Sequence, residues 1–535
     1  MATETEVKSE MSEDSKKGTL EILLGELGSF GRFQIIMMNC LFIPKALIGF
    51  SLVLPSFTGV PPDWWCVPAG DNNNTSQHTN ETFKVCSVNG TECIREYGSN
   101  MVTTVSEWDL VCENRWVTKT ITSIQMAGIL VGVVIAGQMS DSFGRKKIFF
   151  LAVLMHSLWN FICPISVAWE MFAVLRFLIG ITGGMILCSS FPYMLEFVEE
   201  RWRPILTAIP YWPIGVAFVA LLAWLLPNWK YLHVICGAAN LPFLIGYFFL
   251  PESMRWLVVH DRVDEAEKVA NTIARYNRVK IPDDVRKRLQ AVADEEKSGQ
   301  QTTKKYSYID VFRGKTMIKT TISSSFVWFS CSIVYYGMTF GAQGLSGNLY
   351  LNIFLLTIVE VPSFASTFWL LRIFGRKWTT ITFLFIGGLS LVGTVVTNRV
   401  AGPDYKDQLI TAMALLAKMA IGGAWMIMFT YTNELYPTVV RTIGFGVSQT
   451  CSRVGGIVAP MILLMDGDNI IVPYVTMGAL IIISATCLFL LPETKGRPLE
   501  DTLKAKPKVE LVRIRKKEEG KMSEINNPEA HDNAV

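Results

Sequence analysis

Long apolar runs separated by short polar stretches make up most of the sequence. Each run has about 20 residues, enough for an α-helix to cross the ~30 Å hydrocarbon layer of a bilayer. Six runs lie in the first half, at 35–58, 121–139, 148–168, 171–192, 205–226 and 232–250. Six more follow at 320–341, 350–371, 379–397, 408–430, 442–465 and 471–491. The pattern predicts an all-α integral membrane protein with twelve transmembrane helices, the first of which targets the chain without a preceding signal peptide.

Basic residues mark one side of the predicted helices. They fall in alternate short connections: Arg145, Lys146 and Lys147, then Arg201 and Arg203, then Arg372, Arg376 and Lys377. Lys and Arg are enriched in cytoplasmic loops. We therefore predict that these turns and both termini are cytoplasmic, in a multi-pass protein of the plasma membrane.

The loop at 60–119 then lies outside the cell. It carries four N-x-S/T acceptors, Asn73, Asn74, Asn80 and Asn89, and four cysteines, Cys66, Cys86, Cys93 and Cys112. Glycosylation and disulfides both need a non-cytosolic compartment. The loop is predicted to be glycosylated and disulfide-bonded, and all three pairings of the four cysteines remain open.

The two halves of the sequence repeat one another at an offset of roughly 240 residues. The segment Phe143-Gly-Arg-Lys146 recurs as Phe374-Gly-Arg-Lys377. Further matches are Arg176 with Lys418, Glu196 and Arg203 with Glu434 and Arg441, and Pro251-Glu252 with Pro492-Glu493. Two pseudo-symmetric six-helix bundles with a site between them near the midplane are typical of carriers that alternate access between the two sides.

The repeat also predicts the organisation of the chain. We expect a cytoplasmic N-terminus at 1–32, an N-terminal six-helix bundle at 33–250 that contains the 60–119 loop, and a cytoplasmic linker with short helices at 251–319. A C-terminal six-helix bundle at 320–491 and a cytoplasmic tail at 492–535 complete the chain.

Charged residues cluster at the repeated turns and at the ends of the fourth and tenth spans. The candidate gating residues are Asp141, Gly144, Arg145, Arg176, Glu196, Arg203, Glu434 and Arg441. A single exposed ion pair contributes only about 0–1 kcal/mol. A network in both halves could bias a two-state equilibrium by a few kcal/mol. The alternative is that these charges only determine topology.

Composition agrees with a membrane protein and excludes several other classes. The chain has 50% apolar and 18% charged residues and a mean hydropathy of +0.33. Its five histidines are scattered without metal-ligand spacing, and Gly314-Lys-Thr316 lacks the earlier glycine of a phosphate-binding loop because position 309 is Ile309. We therefore expect no enzyme activity, cofactor, metal site or nucleic-acid partner.

Several motifs resemble the organic ion transporters of the major facilitator superfamily, the group of organic cation, organic anion and carnitine carriers. The resemblance covers nearly all of 20–505. The matching segments are Ser106–Cys112, Gly137–Lys147, Pro251–Leu257, Gly347–Tyr350, Glu360–Pro362 and Asn433–Arg441. It implies the major facilitator fold and uptake or exchange of small organic ions.

Among the ionisable residues inside apolar spans, the candidates for substrate binding are Lys45, Glu360, Lys418 and Arg453. A charge at mid-helix costs about 2.5–3.5 kcal/mol, so each is a candidate for substrate binding. A guanidinium suits bidentate carboxylate recognition. Arginine at position 453 resembles the anion and carnitine carriers, whereas carriers of simple cations have an acid there. Lys45 departs from the carnitine-carrier pattern, which puts sodium coupling in doubt, and Glu360 could serve a cationic substrate end or pair with Lys418.

Aromatic residues complete the candidate substrate site, because their faces suit a quaternary ammonium group. The resemblance assigns Trp328, Tyr335 and Trp425 to the cavity wall, and Tyr211 is a further candidate. We expect a polyspecific carrier of carboxylate-bearing ions, either carnitine-like zwitterions or organic anions. The alternatives are a potential-driven organic cation carrier and a non-transporting receptor or channel. Its partners would be the lipid bilayer, a coupling ion, and a PDZ domain at the Asn-Ala-Val terminus.

Overall fold

The structure, a computed structural model, describes residues 19–68, 83–88, 91–302, 307–465 and 471–496. The four predicted glycosylation acceptors and the PDZ-type terminus lie outside the described residues. In the first half the α-helices are α1 Thr19–Glu26, α2 Arg32–Val53, α3 Pro55–Thr58, α4 Thr104–Trp108, α5 Trp116–Phe143, α6 Arg145–Ile162, α7 Trp169–Leu195, α8 Arg203–Ala208, α9 Tyr211–Leu225, α10 Trp229–Asn240 and α11 Gly246–Phe249.

The linker contributes α12 Met254–Val259, α13 Val263–Asn277 and α14 Val285–Thr302. The second half contains α15 Lys315–Phe340, α16 Leu349–Ile358, α17 Glu360–Phe374, α18 Arg376–Val400, α19 Pro403–Leu435, α20 Arg441–Ile462 and α21 Ile471–Leu488. In the described part of the chain, 3₁₀ segments lie between them at Cys112–Asn114, Cys163–Ile165, Glu200–Trp202, Leu241–Ile245, Asp310–Phe312, Ala342–Gly344 and Thr438–Val440.

A small antiparallel sheet covers one end of the first half. Its strands β1 Trp64–Pro68, β2 Ser87–Val88 and β3 Thr91–Tyr97 lie in the order β1-β3-β2, and Trp64 pairs with Tyr97. A disulfide joins Cys86 to Cys112, and Cys66 is also disulfide-bonded. We call this end of the molecule the sheet side, and the opposite end, where α12–α14 pack, the linker side.

Ten helices in the described residues are long and apolar enough to cross a membrane. The other two predicted spans correspond to α9, which has 15 residues, and to α20, whose polar residues and arginines lower its hydropathy. With these two, the described residues contain a helical segment at each of the twelve predicted spans. The prediction of an all-α membrane protein is confirmed.

Several predicted spans are interrupted where proline follows. The eighth span breaks at Val359, and α17 restarts at Glu360 with Pro362 in its first turn. The sixth span passes through the 3₁₀ segment that contains Pro242, and the first breaks at Leu54 before Pro55. Proline lacks the N–H needed for a helical hydrogen bond but fits a first turn. Each of these three predicted spans is therefore built from more than one helical segment.

Small residues let neighbouring helices approach closely. A Cβ at Gly128 would lie 2.3 Å from the Phe177 carbonyl oxygen, and one at Gly180 would lie 2.3 Å from that of Gln125, so α5 and α7 pack backbone to backbone. In the second half a Cβ at Gly455 would lie 2.4 Å from the Phe329 oxygen, which brings α20 against α15. Close packing of small residues drives helix association where no water is displaced.

Candidate functional site

The repeated turns have the same construction in both halves. Glu252 accepts hydrogen bonds from the backbone N–H groups of Arg145 and Lys146 at 2.9 and 3.1 Å. Glu493 accepts the equivalent bonds from Arg376 and Lys377 at 3.0 Å each. A carboxylate here satisfies unpaired N–H groups at the start of α6 or α18 and complements the helix dipole. The sequence repeat is thus a structural repeat.

Glu493 shows the electrostatic effect of this arrangement. Partial burial alone would raise the pKa of its carboxyl, but four backbone N–H donors, from Lys495, Arg376, Thr494 and Lys377, hold that pKa below its ordinary value. The turn therefore stabilises the ionised form of the Glu493 carboxyl group.

The gating candidates form ion pairs inside each half. Arg145 contacts Asp141 at 2.7 Å and Glu196 at 3.4 Å. In the second half Arg376 contacts Glu434 at 2.9 Å. Both clusters lie on the linker side, and each ties the repeated turn to the end of α7 or α19.

Three gating candidates lie elsewhere than the sequence suggested. Arg203 pairs with Glu21 of α1 at 2.6 Å rather than with Glu196. The Nε of Arg441 donates to the Tyr436 carbonyl oxygen at 3.4 Å. Arg176 is fully buried near the sheet-side end of α7, far from the other gating candidates.

Arg176 is held by neutral groups. Its Nη2 donates to the carbonyl oxygen of Ser51 at 3.1 Å and to the side-chain oxygen of Gln125. These contacts join α7 to α2 and α5. Gly144 does stand at its predicted turn, with φ +104, a conformation that favours glycine.

A small cavity lies where the two halves meet. Its wall comprises Leu52, Val53, Trp212, Val216, Tyr335, Tyr336, Thr339, Thr357, Glu360 and Lys418. Residues of α2 and α9 from the first half face residues of α15, α16, α17 and α19 from the second. Carriers built from two repeats typically bind their substrate between the repeats, in a concave site with a few convergent polar groups.

Lys418 and Glu360 form a buried ion pair in this wall. The Nζ of Lys418 lies 3.2 Å from the Glu360 carboxylate, and the two side chains are only 3% and 1% exposed. Lys418 also donates to Thr339 Oγ1 at 2.8 Å and to the Tyr335 carbonyl oxygen at 3.1 Å. Each charge thus compensates the other.

Tyr335 links this ion pair to the first half. Its hydroxyl donates to Glu360 at 3.0 Å and accepts a hydrogen bond from Trp212 Nε1 at 3.1 Å. The ring of Tyr335 packs on Trp425 at 5.2 Å. Trp328 is fully buried, and its Nε1 donates a hydrogen bond to Thr432 at 2.9 Å. The rings of Trp328 and Trp425 pack edge to face.

Lys45 and Arg453 form the second charged group of the site. Each lies about 18–20 Å along its helix from the linker-side end of α2 or α20, so they share one depth. They are close enough to repel one another electrostatically, and Arg453 lies against the hydroxyl of Tyr336, a residue of the cavity wall. Among the described residues, neither cation has a carboxylate partner.

Aromatic rings surround Lys45. Its Nζ lies 5.2 Å from the centroid of Phe42 and 5.6 Å from that of Phe191. Tyr211 packs edge-on against Phe42 at 5.5 Å and hydrogen-bonds to Asn39 at 3.2 Å. Sequence reasoning missed Phe42 and Phe191. The i, i+3 spacing of Phe42 and Lys45 on one helix was the available signal for Phe42, and nothing in the sequence indicated Phe191.

The two halves contact each other on the sheet side of the cavity. Ser123 of α5 donates to the Ile457 carbonyl oxygen at 2.8 Å, and Lys119 contacts Gln343 at 3.5 Å. The rings of Phe57 and Tyr350 stack at 5.7 Å. Within the part of the chain that the structure describes, no group of three or more His, Cys, Asp or Glu side chains could hold a metal ion.

Comparison with known proteins decides the family. The model of the "Sugar (and other) transporter" family matches residues 69–504. The organic cation/carnitine transporter 2 of Rattus norvegicus is 30% identical over 533 residues, which cover 90% of this chain and 92% of that protein. The chain belongs to the organic ion transporters of the major facilitator superfamily.

Other relatives agree with this membership. A solute carrier family 22 member 15-like protein of Xenopus laevis is 32% identical to the transporter over 481 residues, which cover 89% of this chain and 94% of that one. The inward open conformation of the xylose transporter XylE from E. coli has the same fold. It matches with a TM-score of 0.60 over 88% of this chain and 98% of its own, at 15% identity. The protein is thus a multi-pass membrane transporter of small organic ions rather than an enzyme.

Proposed function

We propose that this transporter moves carboxylate-bearing organic ions, organic anions above all, across the plasma membrane by alternating access. The observation that carries the proposal is the pair of uncompensated cations, Lys45 and Arg453, at one depth beside the central cavity. Burying a charge without a partner is costly, so an anionic substrate that supplies the partner gains binding energy. Arg453 would hold the carboxylate in a bidentate geometry.

The state of Glu360 supports anions over cations. In organic ion carriers a buried acid could hold a substrate ammonium, but Glu360 is already neutralised by Lys418 at 3.2 Å. Around the cavity the pair contributes no net charge, whereas Lys45 and Arg453 contribute two positive charges. Electrostatic complementarity therefore favours an anion.

The arrangement of the halves supports alternating access. Contacts between them lie on the sheet side, whereas the charge clusters of the linker side stay within each half. The basic turns support a cytoplasmic location for the linker side and, with it, for both termini. On this reading the structure is an inward-facing state, and transport is driven by substrate or ion gradients.

Uptake in cells that express the transporter tests the proposal. The panel is a labelled aryl carboxylate, carnitine and tetraethylammonium, with sodium and membrane potential removed in turn. Arg453→Asp should abolish carboxylate uptake. Arg453→Lys keeps the positive charge but lacks the paired N–H donors of the guanidinium group, so it should retain part of the uptake. Surface biotinylation controls for expression. Normal carboxylate uptake by Arg453→Asp, or tetraethylammonium as the best substrate of the unaltered protein, would refute the assignment.

Counterflow separates a carrier from a channel. Cells preloaded with unlabelled substrate should take up labelled substrate faster, because the loaded binding site returns outward more quickly than the empty one. A pore shows no such acceleration.

A further inference from the structure

The ammonium group of Lys45 occupies an aromatic surface that suits an onium ion. Phe42 and Phe191 stack at 6.4 Å with an interplanar angle of 13°, and Lys45 Nζ lies 5.2 and 5.6 Å from their centroids. A cation within about 6 Å of a ring centroid is attracted by the electron density of the ring face. Two rings at these distances form a cation-binding site, and the ammonium group of Lys45 already occupies it.

The aromatic surface formed by Phe42 and Phe191 is fixed in position by the surrounding helices. Phe42 is 1% exposed and is held in place by the edge of Tyr211 at 5.5 Å. Phe191 comes from α7, so the site spans two helices of the first half. Because Lys45 lies three residues after Phe42 on α2, its side chain shares a helix face with that ring.

Glu360, the carboxylate of the cavity wall, is not free to hold a substrate ammonium. Glu360 is bound to Lys418, and the cation nearest to Arg453 on the facing helix α2 is Lys45 itself. A substrate with both a carboxylate and a quaternary ammonium would bring its positive end toward Lys45. Displacing the lysine would leave an ammonium without its aromatic contacts, and leaving it in place would set two positive charges side by side.

We propose that Lys45 is the specificity-determining residue of the site. Its tethered ammonium takes the place of a substrate onium group and excludes zwitterions and cations. The tether makes this occupation intramolecular, at a high effective concentration that a free ligand must overcome. The inference rests on the proposed function, in which Arg453 binds a carboxylate, and it deepens that function to anions that lack an onium group.

Substitution of Lys45 tests the inference. Lys45→Met removes the charge at similar length and frees the aromatic surface, so carnitine uptake should rise roughly tenfold over the unaltered protein. Lys45→Gln, a polar neutral variant, should gain in the same direction. Lys45→Arg keeps a cation over the rings and should remain as selective as the unaltered protein. Each variant is compared at equal surface expression.

A second substitution shows where the gained substrate binds. Adding Phe191→Leu to Lys45→Met should cancel the gain in carnitine uptake, measured as the ratio of carnitine to aryl carboxylate uptake in the same cells. Phe354→Leu, on an exposed face of α16, is the matched control and should leave the gain intact.

The outcomes separate this inference from the proposed function. If the unaltered protein takes up no carboxylate, the proposed function fails. If it takes up the aryl carboxylate but neither neutral variant gains carnitine uptake, the role of Lys45 fails and that of Arg453 stands. Carnitine uptake by the unaltered protein as fast as aryl carboxylate uptake would overturn the inference without any variant.

Discussion

At the scale of the residue, the charged side chains inside this protein lie in four different environments. Lys418 and Glu360 neutralise each other, and Arg176 is surrounded by neutral acceptors. Lys45 rests on aromatic rings, and Arg453 is left without a carboxylate among the described residues. Lys45 and Arg453, which have no carboxylate partner among the described residues, leave positive charge for a ligand to neutralise, so the ion-paired Lys418 and Glu360 are weaker candidates for direct substrate binding.

The buried pair is expected to show strong coupling. Lys418→Met leaves the Glu360 carboxylate alone in a nearly dry wall, which costs about 3–5 kcal/mol, and Glu360→Gln leaves the ammonium alone at a similar cost. The double variant removes both charges and should recover most of the loss. The measurement is the melting temperature of the purified protein for the full double-mutant cycle. Losses that simply add would show that the two side chains do not act as a pair.

At the scale of the element, the repeated turn depends on a glycine and a distant carboxylate. A Cβ at Gly144 would lie 2.3 Å from Glu252 Oε2, and one at Gly375 would lie 2.8 Å from the Glu493 carboxyl carbon. Both glycines have positive φ, at +104 and +85. The turn therefore needs glycine for its conformation and for the approach of the capping carboxylate. The end of the sixth or twelfth span thereby fixes the start of the third or ninth.

Loss of this cap should be visible in either half. Glu252→Ala removes the acceptor from the first N–H groups of α6 and should cost about 0.5–2 kcal/mol, whereas Glu252→Gln, which keeps an oxygen, should cost less. Gly144→Ala should resemble Glu252→Ala, and the two together should cost less than their sum because they disrupt one contact. Thermal unfolding checks the set, with the equivalent Glu493→Ala and Gly375→Ala as a parallel series. Full additivity would contradict a shared contact.

At the scale of the whole molecule, two halves of similar construction contact each other on the sheet side of a central cavity. Hydrogen bonds there include that from Ser123 to the Ile457 carbonyl oxygen, and the Trp212–Tyr335 and Ser56–Thr339 bonds reach residues of the cavity wall. A packed interface between two halves of a protein can exchange between two discrete arrangements. The linker helices, by contrast, pack on the first half: Arg288 of α14 contacts Glu26 of α1 at 2.9 Å.

Cross-linking tests whether the sheet side opens during transport. Lys119 and Gln343 lie on opposite halves with 3.5 Å between their side-chain ends. A short bifunctional thiol reagent applied to Lys119→Cys/Gln343→Cys should stop uptake, and a cleavable reagent should allow recovery on reduction. Lys230 and Glu107 contact each other at 2.6 Å within the first half, so Lys230→Cys/Glu107→Cys is the matched control and should keep its activity. Uptake that survives the first cross-link would contradict opening at this side.

The sequence by itself determined the class of the molecule. Apolar runs of membrane length are a local property, and so are the repeated turns, because Phe-Gly-Arg-Lys and Pro-Glu recur in register. The family also follows from local motifs. The chemistry of proline indicates helix breaks near Pro55 and Pro362. The apolar pattern continues through both positions and does not indicate them.

Only the tertiary structure decided which charges are free. The sequence left Glu360 open to a substrate or to Lys418, and it gave no reason to join Arg203 to Glu21, Glu252 to the turn after α5, or Phe191 to Lys45. These partners are tens to hundreds of residues apart, and their pairing depends on how helices pack and rotate against one another. Electrostatic balance in a membrane site is a property of that packing, which is why the sequence alone could not decide which of the buried charges are paired.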